Sequence, residues 1–386
     1  MAIRIWIAFF VAITLTDPLL AADPGITDTE IRLGMVNAQS GAASGLGQGM
    51  LAGAEAIFKE VNANGGIHGR KINLIVLDDQ YDPNKAIDAT LNLIGEQKVF
   101  SLFGYVGTPT ANAVLPIVRE TKTPLIGLFS GAMTLRRPVI PEVINIRASY
   151  DDESEMLVEH FIKDKGAKRF AVVYQNDGFG LAVLAGTERA LKQRGMEIIA
   201  KGTFRRGTTA IKSGLAAMLE SNPDVVIMAG PYTPLAAFVK EARIEKLKAS
   251  LATVSFVGTD NLVQLVGADG DGIVISQVVP FPRDDKLAIT KECAMLLAKH
   301  APGMILGFVN LEGCITAKTL VIAMEKAGPA LTRASLIQAF ESIKALDIGG
   351  MQLNLSPENH QASSTVFLTQ IIGGQIAQIK AVANKK

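Results

Sequence analysis

The sequence predicts an α/β protein of two doubly wound parallel-sheet lobes, on three observations. Apolar β-branched runs alternate with segments of helical period along most of the chain. The apolar runs are near-continuous, as in strands buried on both faces. The alternation restarts after Ile146, so a second sheet follows the first. Composition agrees: 386 residues at 48% hydrophobic and 19% charged are too apolar for disorder and long enough for two cores. The 38 Lys and Arg against 37 Asp and Glu leave a net charge of +1, which offers no nucleic-acid footprint. The 36 Gly and 16 Pro have no period, which excludes a collagen-like or low-complexity chain.

In order, the pattern predicts a strand over Ile31 to Val36 and a helix over Gly47 to Asn64, whose Leu51, Ala54, Ile57, Phe58 and Val61 share a face. A strand over Ile72 to Leu77 follows, then a helix opened by Asp82-Pro83, a strand over Val99 to Phe103, a helix near Thr110 to Glu120 and a strand over Pro124 to Leu128. The second block reads as a helix near Glu153 to Lys165, a strand Phe170 to Tyr174, a helix near Leu181 to Arg194 and a strand Glu197 to Lys201. It continues with a helix near Ala210 to Glu220, a strand Asp224 to Met228, a helix Leu235 to Ile244 and a strand near Ala252 to Val257. Three helices follow, near Lys286 to Lys299, Leu311 to Ala327 and Arg333 to Ile343. The tail from Met351 to Gln378 reads as strands broken by Ser356-Pro357 and Gly373-Gly374, so the chain crosses between lobes more than twice.

At the N-terminus, Arg4 precedes the apolar run Ile5 to Thr16, and Leu19-Leu20-Ala21-Ala22 precedes Asp23. Residues 1–22 are laid out as a cleaved secretory signal peptide, and the run is too short to span a membrane. No Cys follows it, which excludes a lipid-anchored Cys at the mature N-terminus and points to a freely soluble periplasmic protein. Cys293 and Cys314 lie on what read as successive helices, where a bridge and two buried thiols both fit. The four His are scattered, and no metal is assigned.

Gly47-Gln48-Gly49-Met50-Leu51-Ala52 matches the G-x-G-x-x-A dinucleotide fingerprint. The fingerprint needs its glycines in the turn directly after the strand, whereas Gly47 lies well beyond Val36, and Asp78-Asp79 fall too far on for the ribose acid. A NAD-dependent enzyme is therefore disfavoured, and no cofactor is expected. The wider segment holds Ser40-Gly41, Gly45, Gly53-Ala54, then Val61-Asn62-Ala63-Asn64-Gly65-Gly66-Ile67-His68-Gly69-Arg70, then Asp78-Asp79-Gln80-Tyr81-Asp82-Pro83. Farther on come Gly104-Tyr105-Val106-Gly107-Thr108-Pro109-Thr110, Ser130-Gly131-Ala132, Asn176-Asp177-Gly178-Phe179-Gly180 and Glu325-Lys326-Ala327-Gly328. In this order and spacing the chain resembles the periplasmic solute-binding proteins of branched-chain amino acid ABC importers, over nearly its whole length.

The resemblance implies a type I periplasmic binding protein: two lobes joined by a three-crossing hinge, closing over a ligand held between them. Crossings near Asn145 to Ser149, Val278 to Pro282 and Ala345 to Gly349 would put 23–145 plus 281–346 in lobe 1 and 146–280 plus 347–386 in lobe 2. It also implies a monomer that delivers a small carboxylate-bearing ligand to a membrane permease and ATPase.

Loops beyond the carboxyl ends of the strands are where ligand groups belong. Thr108 opens a helix there, and its hydroxyl and nearby amides suit a carboxylate, an ordinary N-cap being the alternative. The family pattern assigns carboxylate contacts to Thr108 and to Ser130-Gly131, with Ser40 a further candidate. From lobe 2 it places Tyr150, Phe179 and Tyr232 against the ligand, though core packing also suits Phe179. Leu46 stands where amino-acid binders of the family carry an aromatic lid. Asp260, in Gly258-Thr259-Asp260-Asn261, matches the acid that pairs an α-ammonium, and a helix cap is its other reading. These residues favour an aliphatic amino acid, with an aromatic acid or amide as the alternative cargo. Neither Ser40-Gly41 nor Ser130-Gly131 forms a nucleophile elbow, and the pairs Asp78-Asp79 and Asp151-Asp152 read as solvated turns. The function read from the chain is thus binding for uptake, not catalysis, with a sensory ligand-binding subunit as the neighbouring class.

Overall fold

The computed structural model describes residues 23–379, so the predicted signal segment 1–22 lies outside the described residues. The chain begins with β1 (Glu30–Asn37), α1 (Ser44–Ala63), β2 (Lys71–Asp78), α2 (Pro83–Gly95), β3 (Ser101–Phe103), α3 (Thr108–Thr121), β4 (Leu125–Ile126) and β5 (Val143–Ile144). These strands form a five-stranded sheet in the order β2-β1-β3-β4-β5, parallel throughout. There follow α4 (Tyr150–Lys165), β6 (Phe170–Gln175), α5 (Gly178–Lys192), β7 (Ile198–Phe204), α6 (Lys212–Ser221) and β8 (Val225–Ala229). The block ends with α7 (Tyr232–Ile244), β9 (Ser250–Thr253), α8 (Thr259–Val266) and β10 (Val274–Gln277). Then come α9 (Ala288–His300), α10 (Phe308–Ala327), α11 (Arg333–Glu341), the short pair β11 (Leu346–Asp347) and β12 (Gln352–Leu353), and finally β13 (Phe367–Ile372) and β14 (Gln375–Gln378). The seven-stranded second sheet runs β14-β13-β10-β9-β8-β6-β7. Among the described residues no helix is long and apolar enough to cross a membrane.

The helical starts follow local chemistry. Asp82 caps α2 by accepting from the Asn84 and Lys85 amides at 2.8 and 3.3 Å, with Pro83 at its first turn. Ser149 and Asp152 form a reciprocal capping box on α4, whose first turn also carries Asp151 and Glu153, acids suited to the positive helix end. The glycines that mimic a dinucleotide fingerprint serve packing instead: a Cβ on Gly47 would lie 1.9 Å from the Ala38 carbonyl oxygen, and one on Gly49 would lie 2.7 Å from the Val309 side chain. A Cβ on Gly53 would lie 1.9 Å from the Asn310 carbonyl oxygen, and one on Gly313 would lie 2.3 Å from that of Met50. Bare backbone on both helices therefore lets α1 and α10 touch, and α10 covers the first sheet although it comes late in the chain.

The structure departs from the sequence pattern in four places. The second sheet is mixed, because β13 pairs antiparallel with β10 and with β14. Gly373 and Gly374, at φ +57° and +70°, close that last hairpin with a two-residue turn that favours glycine at both positions. The short strands β5 and β10, just before the first two crossings, have no counterpart in the sequence pattern, since a few residues near Pro give too little periodicity to read. The strand expected over Ala252 to Val257 stops at Thr253 and tightens into a helical turn over Ser255–Val257.

The segment after α11 also stays with the first sheet longer than the pattern suggests. Leu353, Leu355 and Ala362 pack in its core cluster, and Asn145 exchanges backbone hydrogen bonds with His360 and Ala362 at 2.8 Å each. The chain returns to the second sheet only after that contact, because β11 and β12 pair with each other rather than joining the larger sheet.

Cys293 on α9 and Cys314 on α10 are bonded, with Cα atoms 6.1 Å apart, which decides between the two readings left open. The bridge closes a loop of separation 21, for which chain entropy predicts about 3 kcal/mol of stability. Reductant should lower the urea midpoint of the wild type and leave a Cys293→Ala, Cys314→Ala variant unmoved; equal midpoints with and without reductant would refute the contribution.

Candidate functional site

The loops leaving the carboxyl ends of both sheets meet across a cleft. At its inner end Thr108, the first residue of α3, and Ser130, after β4, share a hydrogen bond of 2.8 Å and are fully buried. Tyr150 approaches from α4: its amide donates to the Gly131 carbonyl at 2.7 Å, and a Cβ on Gly131 would meet its ring at 2.5 Å. Its hydroxyl, beside Ser130, makes no hydrogen bond, and burial pushes its pKa up to about 12. Phe179 stacks on Tyr150 at 5.3 Å and on Phe256 at 4.4 Å, while Phe256 also meets Phe129 and Tyr81. The structure thus brings Thr108, Ser130, Gly131, Tyr150 and Phe179 together, as the sequence suggests. It places Phe256 among them through the turn that ends β9 early.

Behind this aromatic group lies a charged one. Arg147, 1% exposed, donates to Glu153 at 2.9 Å and reaches Glu312 at 3.3 Å, with its guanidinium 4.9 Å from the Phe129 ring centre. Glu153 also accepts from the Ser255 amide and the Ser276 hydroxyl at 2.8 and 2.7 Å. Burial pushes the Glu312 carboxyl up to about 7 against the pull of Arg147, and burial pushes Arg136 down to about 9 with Arg147 adding to the effect. The sequence reading missed Arg147, although a lone charge in Ile144-Asn145-Ile146-Arg147-Ala148-Ser149-Tyr150 is itself a sign of a buried, paired cation.

The remaining sequence candidates lie around this centre. Leu46 is buried beside Gly258, where an added Cβ would meet it at 2.6 Å. The Tyr232 hydroxyl accepts from the Gly45 amide at 3.0 Å, and the Thr233 hydroxyl donates to the Ala42 carbonyl at 2.9 Å, so both tie the two halves together. Ser40 is exposed and bonded to Asp78 rather than to the inner group. Asp260 accepts from the Phe308 amide at 2.9 Å, at the start of α10 on the opposite half, and burial raises its pKa. Its carboxylate therefore has a partner that the ammonium reading did not foresee: the positive end of a helix.

A cavity of about 1000 Å³ lies between the halves, lined by Ala42, Tyr81 and Pro109 on one side and by Asp177, Arg206 and Thr233 on the other. None of the sequence candidates lines it, because aromatic rings fill the inner cleft and leave the open space farther out. Tyr81 reaches it from a strained turn, with Gln80 at φ +52° and Tyr81 at +61°. Asp78 accepts the Gln80 amide and Asp79 the Tyr81 amide, at 2.9 and 2.8 Å, which holds that turn. Asp79 is fully buried, not solvated as the sequence suggests, because the strained turn folds it inward.

Burial pushes the Asp79 carboxyl up to about 7, with one oxygen lacking any partner. A carboxyl whose pKa is higher folded than unfolded costs stability as pH rises from about 4 to 7, since ionisation then favours the unfolded chain. Asp79→Asn keeps an acceptor for the Tyr81 amide without the charge. It should exceed the wild type in stability by on the order of 2 kcal/mol at pH 8 and by much less at pH 5. Urea unfolding at both pH values measures this, and a gap that does not widen refutes it.

The sequence model of the periplasmic binding protein family matches residues 30–375. The leucine-specific-binding protein of Salmonella typhimurium is 21% identical over 265 residues, covering 69% of this chain and 72% of that protein. A Leu/Ile/Val-binding protein homolog 7 of Brucella abortus is 25% identical over 270 residues, covering 68% and 67%. Among solved structures, a possible leucine/isoleucine/valine-binding protein from Rhodopirellula baltica superposes with a TM-score of 0.87 at 35% identity, covering 91% of this chain and 96% of that one. A branched-chain amino acid ABC transporter protein from Thermus thermophilus with bound valine shares the fold, with a TM-score of 0.82 at 18% identity, covering 92% and 96%. By family and by fold this chain belongs to the periplasmic binding proteins, in the type I group with the leucine/isoleucine/valine-binding proteins, and its relatives bind solutes rather than catalyse reactions.

Proposed function

We propose that the protein is the solute-binding component of an ABC importer. It captures a small carboxylate-bearing solute with an apolar body, a branched-chain or other aliphatic amino acid, and delivers it as a monomer to a membrane permease and ATPase. The observation that carries this reading is the cavity of about 1000 Å³ between the halves, bounded by Tyr81 and Pro109 of one half and by Asp177 and Arg206 of the other, on the outer side of the aromatic group. Pro109, in the first turn of α3, lines this cavity, and the N-terminus of a helix favours an anion, so a carboxylate suits the place. The names of the Salmonella and Brucella relatives support the amino-acid class.

Residues 1–22 serve as the export signal in this reading, which delivers the chain to the periplasm. The moving units are 23–145 with 281–362 and 146–280 with the strands from 363 onward, a division supported by the contact of Asn145 with His360 and Ala362. A solute touching both units stabilises the closed form and so marks the loaded carrier for the permease.

The engagement of Asp260 with α10 favours a second reading, in which the cargo is a carboxylic acid without an α-ammonium group. Thermal-shift titration with leucine, isoleucine, valine, isovalerate and benzoate separates the two. Stabilisation by the three amino acids supports the first reading, and stabilisation by the acids alone replaces it with the second. If Asp260 pairs an ammonium on ligand binding, Asp260→Asn should weaken leucine more than tenfold, about 1.5–3 kcal/mol for a charged hydrogen bond. An unchanged dissociation constant leaves Asp260 as a clasp on α10.

A further inference from the structure

The cleft needs a countercharge for an anionic solute, and the inner site does not supply one. Thr108 and Ser130 are neutral and bonded to each other, and Arg147 is shared by Glu153 and Glu312. Arg206 is different. Its side chain is 25% exposed, lies in the loop after β7 and lines the outer cavity. Among the described residues its guanidinium makes no hydrogen bond, and its one ion pair, to Asp177, spans 4.0 Å, beyond hydrogen-bond reach.

Asp177 does not need that pair. One of its oxygens accepts the Phe179 and Gly180 amides at 3.0 and 3.3 Å, and the other accepts Gln175 Nε2 at 2.6 Å. Asp82, the second acid at the cavity, is used in capping α2. What positions Arg206 is the Tyr81 ring, whose centre lies 5.5 Å from the guanidinium carbon. A guanidinium stacked on a ring keeps its N–H donors in its own plane, open to a planar carboxylate that can bind through both oxygens. Tyr81 belongs to the half opposite Arg206 and is held in its strained turn by Asp78 and Asp79. The stack therefore exists only when the halves are together, which couples the placing of the cation to closure. A partly buried cation with unoccupied donors beside a cavity at the upper end of the usual size for small-molecule sites, about 300–1,000 Å³, is an incomplete site.

We propose that Arg206 supplies the countercharge for the solute's carboxylate, so that the protein selects anionic or zwitterionic solutes and rejects the corresponding amides. This rests on the uptake reading above and deepens it. The test is calorimetric titration of the wild type, Arg206→Gln and Arg206→Lys with three branched aliphatic probes: leucine, isovalerate and leucinamide. The wild type should bind leucine or isovalerate at least about tenfold more tightly than leucinamide. In Arg206→Gln that preference should vanish, and Arg206→Lys should restore part of it, a point charge replacing a fork. The melting temperature of each unliganded variant shows whether its fold is kept, and the preference between probes is a ratio that a small loss of stability does not move. Persistence of the wild-type preference in Arg206→Gln overturns the proposal while leaving the uptake reading intact. A wild type that binds neither leucine nor isovalerate overturns the aliphatic-cargo reading and this proposal with it.

Discussion

One buried cation holds the centre of the molecule. Arg147 leaves β5 in the first crossing between the halves and meets Glu153 of the second half and Glu312 of the first. A buried charge without partners is costly, and breaking such a pair by removing one partner costs about 3–5 kcal/mol. The crossing, the start of α4 and the middle of α10 are therefore constrained together. Ser255 and Ser276 complete the coordination of Glu153, so the ends of β9 and β10 are drawn to the same point. The rings of Phe129 and Tyr150 cover the guanidinium, and with them begins the aromatic lining of the cleft.

That lining decides where the open space lies. Phe256 packs on Phe179, Phe129 and Tyr81, so the inner cleft is filled by side chains and the cavity opens on its outer side. Contacts join the halves across the cleft: Tyr232 with Gly45, Thr233 with Ala42, Leu46 with Gly258 and Asp260 with the start of α10. Most use a helix N-terminus or a loop backbone, groups that an amino-acid pattern does not display. The close approach of α1 to α10 through Gly53 and Gly313 fixes where those termini lie.

The strained pair Gln80 and Tyr81 shows how local chemistry serves the cleft. Two successive non-glycine residues in the left-handed region are costly, and the two preceding carboxylates offset that by taking their amides. Asp78 and Asp79 are thus the support of an aromatic side chain, and their sequence neighbours Gln80 and Tyr81 reach the cavity between the halves.

By itself the sequence determined what repeats or is local. The strand and helix alternation gave the two sheets and their parallel strands, Asp82-Pro83 the start of α2, and the ordered motifs from Ser40 to Gly328 the family, while the antiparallel pairing of β13 was not legible. It also placed Thr108, Ser130, Gly131, Tyr150 and Phe179 at one cleft, because each follows a strand end and strand ends converge in such sheets. Only the tertiary structure decided that Asp260 clasps a helix of the opposite half, that Asp79 is buried, and that Arg147 and Phe256 stand at the centre. It likewise decided that Arg206 faces the cavity and that Cys293 meets Cys314. These depend on partners far apart in the chain, and side-chain periodicity reports only the face a residue presents, not the group that meets it across the fold.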